Sequence, residues 1–304
     1  MPPRTARRFL LPALLLSIGA GALSASHFMH WGAQLELYWR EQAVAPAARA
    51  AGIWLPDYRL ARETSLPGLE QDETSGLTWN PATDTLFTVT GKRPKLVELS
   101  RDGQVLRSIE LVGFSDTEAV EALDDGRLAI VDERHHLLAV FRLEPGVQRL
   151  DLTDTTRYDL GFADAGNKGF EGLAWNPRSR RLLLAKERDP LGLFSLPLPV
   201  AADAGVTLEA LPSANLPVRD LSSLTVDPRS GRTLLLSDES RLLLELDEQG
   251  RPFSFLSLFG GRNGLGDGIQ QAEGVAMDAQ GNIYVVGEPN RFYVFSRQPG
   301  STPR

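Results

Sequence analysis

Five segments of this chain repeat one pattern: Thr74–Pro81 (TSGLTWNP), Thr117–Leu123 (TEAVEAL), Phe170–Pro177 (FEGLAWNP), Leu221–Pro228 (LSSLTVDP) and Ala272–Asp278 (AEGVAMD). Each leads into a short polar turn (ATDT, DDGR, RSRR, RSGRT, AQGN) and then a β-rich run (LFTVT, LAIVD, LLLAK, LLLSD, IYVVG). A third apolar run follows in every unit: KLVELS, LLAVFRL, GLFSL, RLLLELD, RFYVFS. Alternation and β-branched or aromatic content make these runs strands, and the Asp-Gly and Asn/Asp-Pro steps make the joints hairpins. Equivalent residues Ser75, Glu118, Glu171, Ser222 and Glu273 are 43, 53, 51 and 51 positions apart. That spacing holds about four strands, the period of a propeller blade. A solenoid would also repeat, but it needs capping repeats, and none is visible.

The expected fold is therefore all-β: a five-bladed β-propeller of four-stranded blades over 58–297. The fifth repeat runs out of chain after its third strand, so the segment Tyr58–Arg62 is expected to supply the missing strand. Pairing the two ends in this way removes the exposed edge of an open ring. Trp79 and Trp175 share one repeat position and read as blade-packing residues.

Ahead of the repeats, residues 1–8 are basic (Arg4, Arg7, Arg8), and Phe9–Ala25 is an uncharged apolar run. The pair has the form of a signal or signal-anchor over 1–25. Two fates stand. Ala22-Leu23-Ser24 passes as a cleavage site, which would give a secreted protein. Phe28, Trp31, Leu35 and Tyr38 or Trp39 recur at helical spacing, as an aromatic belt at a membrane interface would, or as residues docked on the domain. The expectation is a retained single-pass anchor in the cell membrane, with the propeller in the periplasm or outside. Residues 26–57 read as a juxtamembrane linker and 298–304 as a tail.

Composition narrows the chemistry. The chain has no cysteine, so disulfides, thiolate nucleophiles and Cys-based metal sites are excluded. Its four histidines form no H-E-x-x-H pair, and no G-x-S-x-G elbow is present. A net charge of −7 argues against nucleic acid as a partner.

In a propeller the start of each first strand and the end of each second strand share one rim of the central channel. The first position reads Ser75, Glu118, Glu171, Ser222, Glu273; the second reads Gly91, Glu133, Glu187, Glu239, Glu288. Carboxylates gathered in a narrow channel must be protonated, paired with cations or bound to a metal. Hard oxygen donors select Ca²⁺, with Mg²⁺ as the alternative, and the expected ligands are Glu118, Glu171 and Glu273. Ser75, Ser222, Glu133, Glu187, Glu239 and Glu288 are further rim positions. The competing reading is a pairing network with Lys186, Arg134, Arg188, Arg241 and Arg291. His135-His136 read as a solvated turn, Asn167 as a turn residue, and Gly260–Gly268 as a flexible loop into the last blade.

The blocks SGLTWNPATDTLF (75–87), VDER (131–134), NKGFEGLAW (167–175), AKERDP (185–190), LSDESRLLLELD (236–247) and QAEGVAMDAQGNIYVVGEPNRFYVF (271–295) resemble the SdiA-regulated (YjiK-like) family of bacterial proteins. The resemblance covers about residues 55–296. Ala119 and Ser223 depart from it, standing where the other repeats have glycine. It implies an N-terminal membrane segment, a five-bladed propeller distantly similar to NHL-repeat proteins, and a calcium site, carried over to Glu118, Glu171 and Glu273. It implies no activity. Three functions follow as expectations. One is an envelope-anchored, calcium-binding module for a small-molecule or protein ligand. Another is a metal-dependent hydrolase of lactones or esters, although no catalytic motif is recognisable. The last is a scaffold whose cation fastens blades.

Overall fold

The computed structural model describes residues 31–161, 169–198, 206–213 and 216–298. Strand β1 (Tyr58–Ser65) precedes the repeats. Blade one holds β2 (Thr74–Asn80), β3 (Thr85–Thr90), β4 (Lys95–Leu99) and β5 (Val105–Val112), and blade two holds β6 (Thr117–Ala122), β7 (Arg127–Asp132) and β8 (Leu137–Arg142). The next strand, β9 (Arg149–Asp151), leaves its own blade and pairs in parallel with β5; β10 (Thr156–Asp159) then completes blade two. Blade three is β11 (Phe170–Asn176), β12 (Arg181–Lys186), β13 (Gly192–Pro197) and β14 (Glu209–Leu211). Blade four is β15 (Ser223–Val226), β16 (Thr233–Ser237), β17 (Leu242–Leu246) and β18 (Pro252–Ser257). Blade five takes β19 (Ala272–Met277), β20 (Ile283–Gly287) and β21 (Arg291–Arg297), and β1 is its outer strand.

The closure read from the sequence is present: β1 runs antiparallel to β21, with Tyr58 opposite Arg297 and Ser65 opposite Arg291. The first strands of successive blades pack side by side, and β19 against β2 completes the ring. Apolar side chains fill the layers between blades rather than one central core. Leu234, Leu236 and Leu243 meet Val275, Ile283 and Phe295 between blades four and five, and Leu77, Leu86 and Val97 meet Tyr284, Val286 and Phe292 between blades five and one. Trp175 lies in the layer between blades two and three, and Trp79 packs on that between five and one.

Around the channel the backbones crowd, which explains the glycine after the first position in three repeats. A Cβ on Gly274 would lie 2.6 Å from the carbonyl carbon of Gly76, and one on Gly76 would meet Glu118 O at 2.8 Å. Backbone cannot move aside as a side chain can, so Gly274→Ala is expected to destabilise by about 3 kcal/mol. Urea unfolding reads this directly, and a loss below about 0.5 kcal/mol would contradict the close approach.

Two helices precede β1: α1 (Trp31–Ala43) and α2 (Pro46–Ala51). Beyond α2 the chain is held to blade four. The buried carboxylate of Glu245 accepts the amides of Ile53 (3.0 Å) and Trp54 (2.9 Å), and pairs with Arg232 at 3.1 Å. Tyr58 and Glu245 lie toward the far ends of their strands, so the chain enters the ring opposite the mouth. The apolar run Phe9–Ala25 and Phe28 fall outside the described residues. Among the described residues no helix is long and apolar enough to cross a membrane.

Candidate functional site

Three of the expected ligands owe their position to one local device. In β6, β11 and β19 the ladder skips a residue, between Thr117 and Ala119, Phe170 and Gly172, and Ala272 and Gly274. The residues skipped are Glu118, Glu171 and Glu273. A bulge leaves its extra residue unpaired and re-aims the side chain, here at the inner end of the strand. Ser75 and Ser222 use their hydroxyls differently. Ser75 Oγ donates to Glu118 O at 2.9 Å and Ser222 Oγ to Ala272 O at 2.7 Å, so each fastens its blade to the next.

The second position is fixed by register. Leu77, Val120, Leu173, Leu224 and Val275 face Thr88, Ile130, Leu184, Leu235 and Val285. Three residues further on stand Gly91, Glu133, Glu187, Asp238 and Glu288. In four blades this residue's amide donates to the carbonyl at the strand entry: Gly91 to Glu73 (3.0 Å), Glu133 to Asp116 (2.8 Å), Glu187 to Gly169 (3.0 Å) and Glu288 to Gln271 (2.9 Å). In blade four the Asp238 amide donates instead to the Asp220 carboxylate at 3.1 Å. Asp238, rather than Glu239, is therefore the blade-four equivalent. Glu239 is one residue further, exposed and bonded to Arg188 at 2.5 Å.

Among the described residues, carboxylates come close enough to share an ion in blade two. One carboxylate oxygen each from Asp116, Glu118 and Glu133 lie within 4.8 Å of one another, a spacing that can hold a metal ion. Gly91 leaves room for it, since a Cβ there would sit 3.2 Å from Glu118 Oε1 and 3.5 Å from Asp116 Oδ1. Glu133 also accepts the Gly169 amide at 2.6 Å. Asp116 and Asp220, which the repeat reading did not single out, lie two residues before the first position. Their signal was available: Glu73, Asp116 and Asp220 recur at that offset.

Proton affinities follow from this crowding. Burial, with Asp116, Glu133 and Glu273 adding to it, pushes the Glu118 carboxyl well above the usual range, and the Ser75 hydroxyl opposes only part of the shift. Burial does the same to Glu171, reinforced by Glu187, Glu273 and Glu118. Glu273 is pushed up to about 8, by burial first and then by Asp238, Glu288 and Asp220. All three residues are half-buried, and protein encloses their carboxyls. Burial also raises Glu133, Asp220 and Glu288.

The cations at the rim reach only part of the cluster. Arg134 bonds Asp116 at 2.9 Å, and Arg188 bonds both Glu187 and Glu239. Lys92 takes Glu73 at 3.1 Å, and Gln271 donates to Glu288 at 2.8 Å. Arg241 stacks over Phe259 and Arg291 pairs with Glu63, so neither serves the rim in the way the flanking sequence suggested. Lys186 Nζ donates to Arg188 O. Among the described residues, Glu118, Glu171 and Glu273 form no ion pair. His135 Nδ1 bonds the buried Asp132 at 3.0 Å and holds the turn. The glycine-rich loop is pinned to the outer strand, where Asn263 O accepts the Leu60 amide at 2.8 Å. Asn167 lies outside the described residues.

Five blades closed by an N-terminal strand, with a carboxylate cluster at one mouth, define an acid-mouthed β-propeller able to hold a metal ion. The chain belongs to the SdiA-regulated family, whose model matches residues 50–296. Its fold is similar to that of glutaminyl cyclase from Myxococcus xanthus, at 19% identity over 79% of this chain and 95% of that one, TM-score 0.55. It is also similar to a gluconolactonase from Xanthomonas campestris, at 15% identity over 83% and 93% of the two chains, TM-score 0.50. At such identities the likeness is one of fold, and function rests with the site.

Proposed function

We propose that this protein is an envelope-anchored propeller that takes up a divalent cation, calcium before magnesium, in its mouth and binds a ligand there. The observation that carries the reading is the Asp116–Glu118–Glu133 cluster, its oxygens within 4.8 Å while Glu118 has no ion pair. Every donor is a hard oxygen, and calcium accepts six to eight of them in flexible geometry, whereas magnesium demands near-octahedral order. Asp116, Glu118 and Glu133 would hold the ion, with Glu171 on blade three and Glu273 on blade five at the same mouth. When bound, the ion supplies positive charge to which a carboxylate, phosphate or carbonyl oxygen can be drawn.

Thermal unfolding of chelator-stripped protein tests the reading. Calcium at 100 times its dissociation constant is expected to stabilise by about 2.7 kcal/mol. Unchanged unfolding with both ions at millimolar concentration would overturn it. A second reading, hydrolysis of a lactone or ester at the same mouth, draws on the raised proton affinity of Glu133 within the cluster, which suits a proton-transfer group. Calcium-dependent turnover of an aldonolactone, lost in Glu133→Gln at a calcium concentration that still saturates the variant, would favour it over binding alone.

A further inference from the structure

The sequence left the aromatics after the apolar run with two roles, an interface belt or residues docked on the domain. In α1, Leu35, Tyr38 and Trp39 lie at i, i+3 and i+4, hence on one face, and are 57%, 48% and 64% exposed. The Tyr38 and Trp39 rings meet edge to face, 5.8 Å between centroids, leaving their outer faces bare. Beside this stripe Glu36 and Arg40 pair with each other at 2.6 Å. Exposing three large apolar side chains side by side to water is costly, and among the described residues the other large apolar side chain exposed to this degree is Leu106, far along the chain on β5.

What covers the stripe is indicated by where it lies in the chain. Six residues before α1 ends a 17-residue uncharged run, Phe9–Ala25, preceded by three arginines. Such a run partitions into hydrocarbon, and tryptophan and tyrosine just beyond one concentrate at headgroup depth, their rings apolar and their N–H and O–H groups wet. Glu36 and Arg40, paired at the edge of the stripe, can remain in the aqueous layer.

We propose that α1 is an interfacial helix: Leu35, Tyr38 and Trp39 seat in a phospholipid bilayer, and Glu36 and Arg40 stay in water. The inference rests on the envelope reading only in needing the chain to reach a membrane.

The chain has no cysteine, so single labels are easily placed. Full-length Leu35→Cys and Glu36→Cys, each carrying an environment-sensitive fluorophore, are reconstituted into phosphatidylcholine vesicles with or without brominated acyl chains. Both positions are exposed, so folding does not hinge on either change. Quenching by bromolipid at residue 35 is expected to exceed that at residue 36 at least threefold, with iodide in solution showing the reverse order. Protein that floats with vesicles while both labels are quenched only by iodide would overturn the inference and leave the anchor standing. A label at 35 shielded from iodide yet untouched by bromolipid would mean a protein partner covers the stripe, which also overturns it. Failure to float would overturn both this and the envelope reading, and would leave the cation site untouched.

Discussion

Glu118→Gln is expected to weaken calcium binding at least 100-fold, about 2.7 kcal/mol. Glu118 is the unpaired residue of its bulge, faces Asp116 and Glu133 within 4.8 Å, and has no side-chain cation to satisfy it. The amide keeps the shape of the side chain and removes one anionic donor, so the loss reports ligation rather than packing. Glu239→Gln is the internal control. That carboxylate is exposed and already bonded to Arg188, and its change is expected to alter affinity no more than about twofold. Equal effects from the two variants would mean that calcium feels only the overall negative field. Without metal, stability is expected to change in the opposite sense to affinity. Glu118→Gln removes a carboxyl that resists ionisation, so the variant is expected to be more stable than the unsubstituted protein at pH 9 in chelator.

Raising the pH from 5 to 9 in chelator should cost the protein several kcal/mol of stability, and Glu121 isolates one part of this loss. It lies on β6, 9% exposed, and its carboxylate accepts the Trp175 amide at 3.1 Å. Burial pushes its carboxyl up to about 8, and the Trp175 amide and Thr78 hydroxyl only partly offset that. The sign follows from linkage. The folded state holds this proton more tightly than the unfolded chain, whose carboxyl titrates near its ordinary value. The stabilisation is fully present below about pH 4.5 and is lost as pH rises through about 8. The loss from this group alone is on the order of 5 kcal/mol. Glu121→Gln keeps an acceptor for the Trp175 amide and cannot ionise, so its stability should fall less between pH 5 and 9 by most of that amount. Parallel pH profiles for the two proteins, from urea unfolding, would contradict a neutral buried Glu121.

The ring was legible in the sequence because a blade is a local object: three apolar runs, two hairpin turns, then the next unit. Even the closure could be read, since the fifth repeat runs out of chain after its third strand and Tyr58–Arg62 stands ahead of the first repeat. The transfer of β9 to blade one could not, because Arg149–Asp151 is a three-residue parallel pairing with no local signature. Nor could the bulges, which depend on how the inner strands crowd around the channel. The choice between Asp238 and Glu239 turns on one residue of register, which pairing across the hairpin sets and counting from the start of a strand misses. Glu118 and Glu171 resist ionisation first because burial strips water from their carboxyls, with carboxylates of their own and of other blades adding to it, and sequence distance conceals that enclosure.

The most direct test of the mouth is calorimetric titration of chelator-stripped, full-length protein with calcium at pH 7, in two buffers of different ionisation heat. If protons and a cation compete for these carboxylates, binding should be saturable, and the apparent heat should differ between buffers in proportion to protons released. Absence of saturable heat in both buffers would contradict the site. Saturable binding with identical heats would place the ion on carboxylates already ionised, away from Glu118, Glu171 and Glu273.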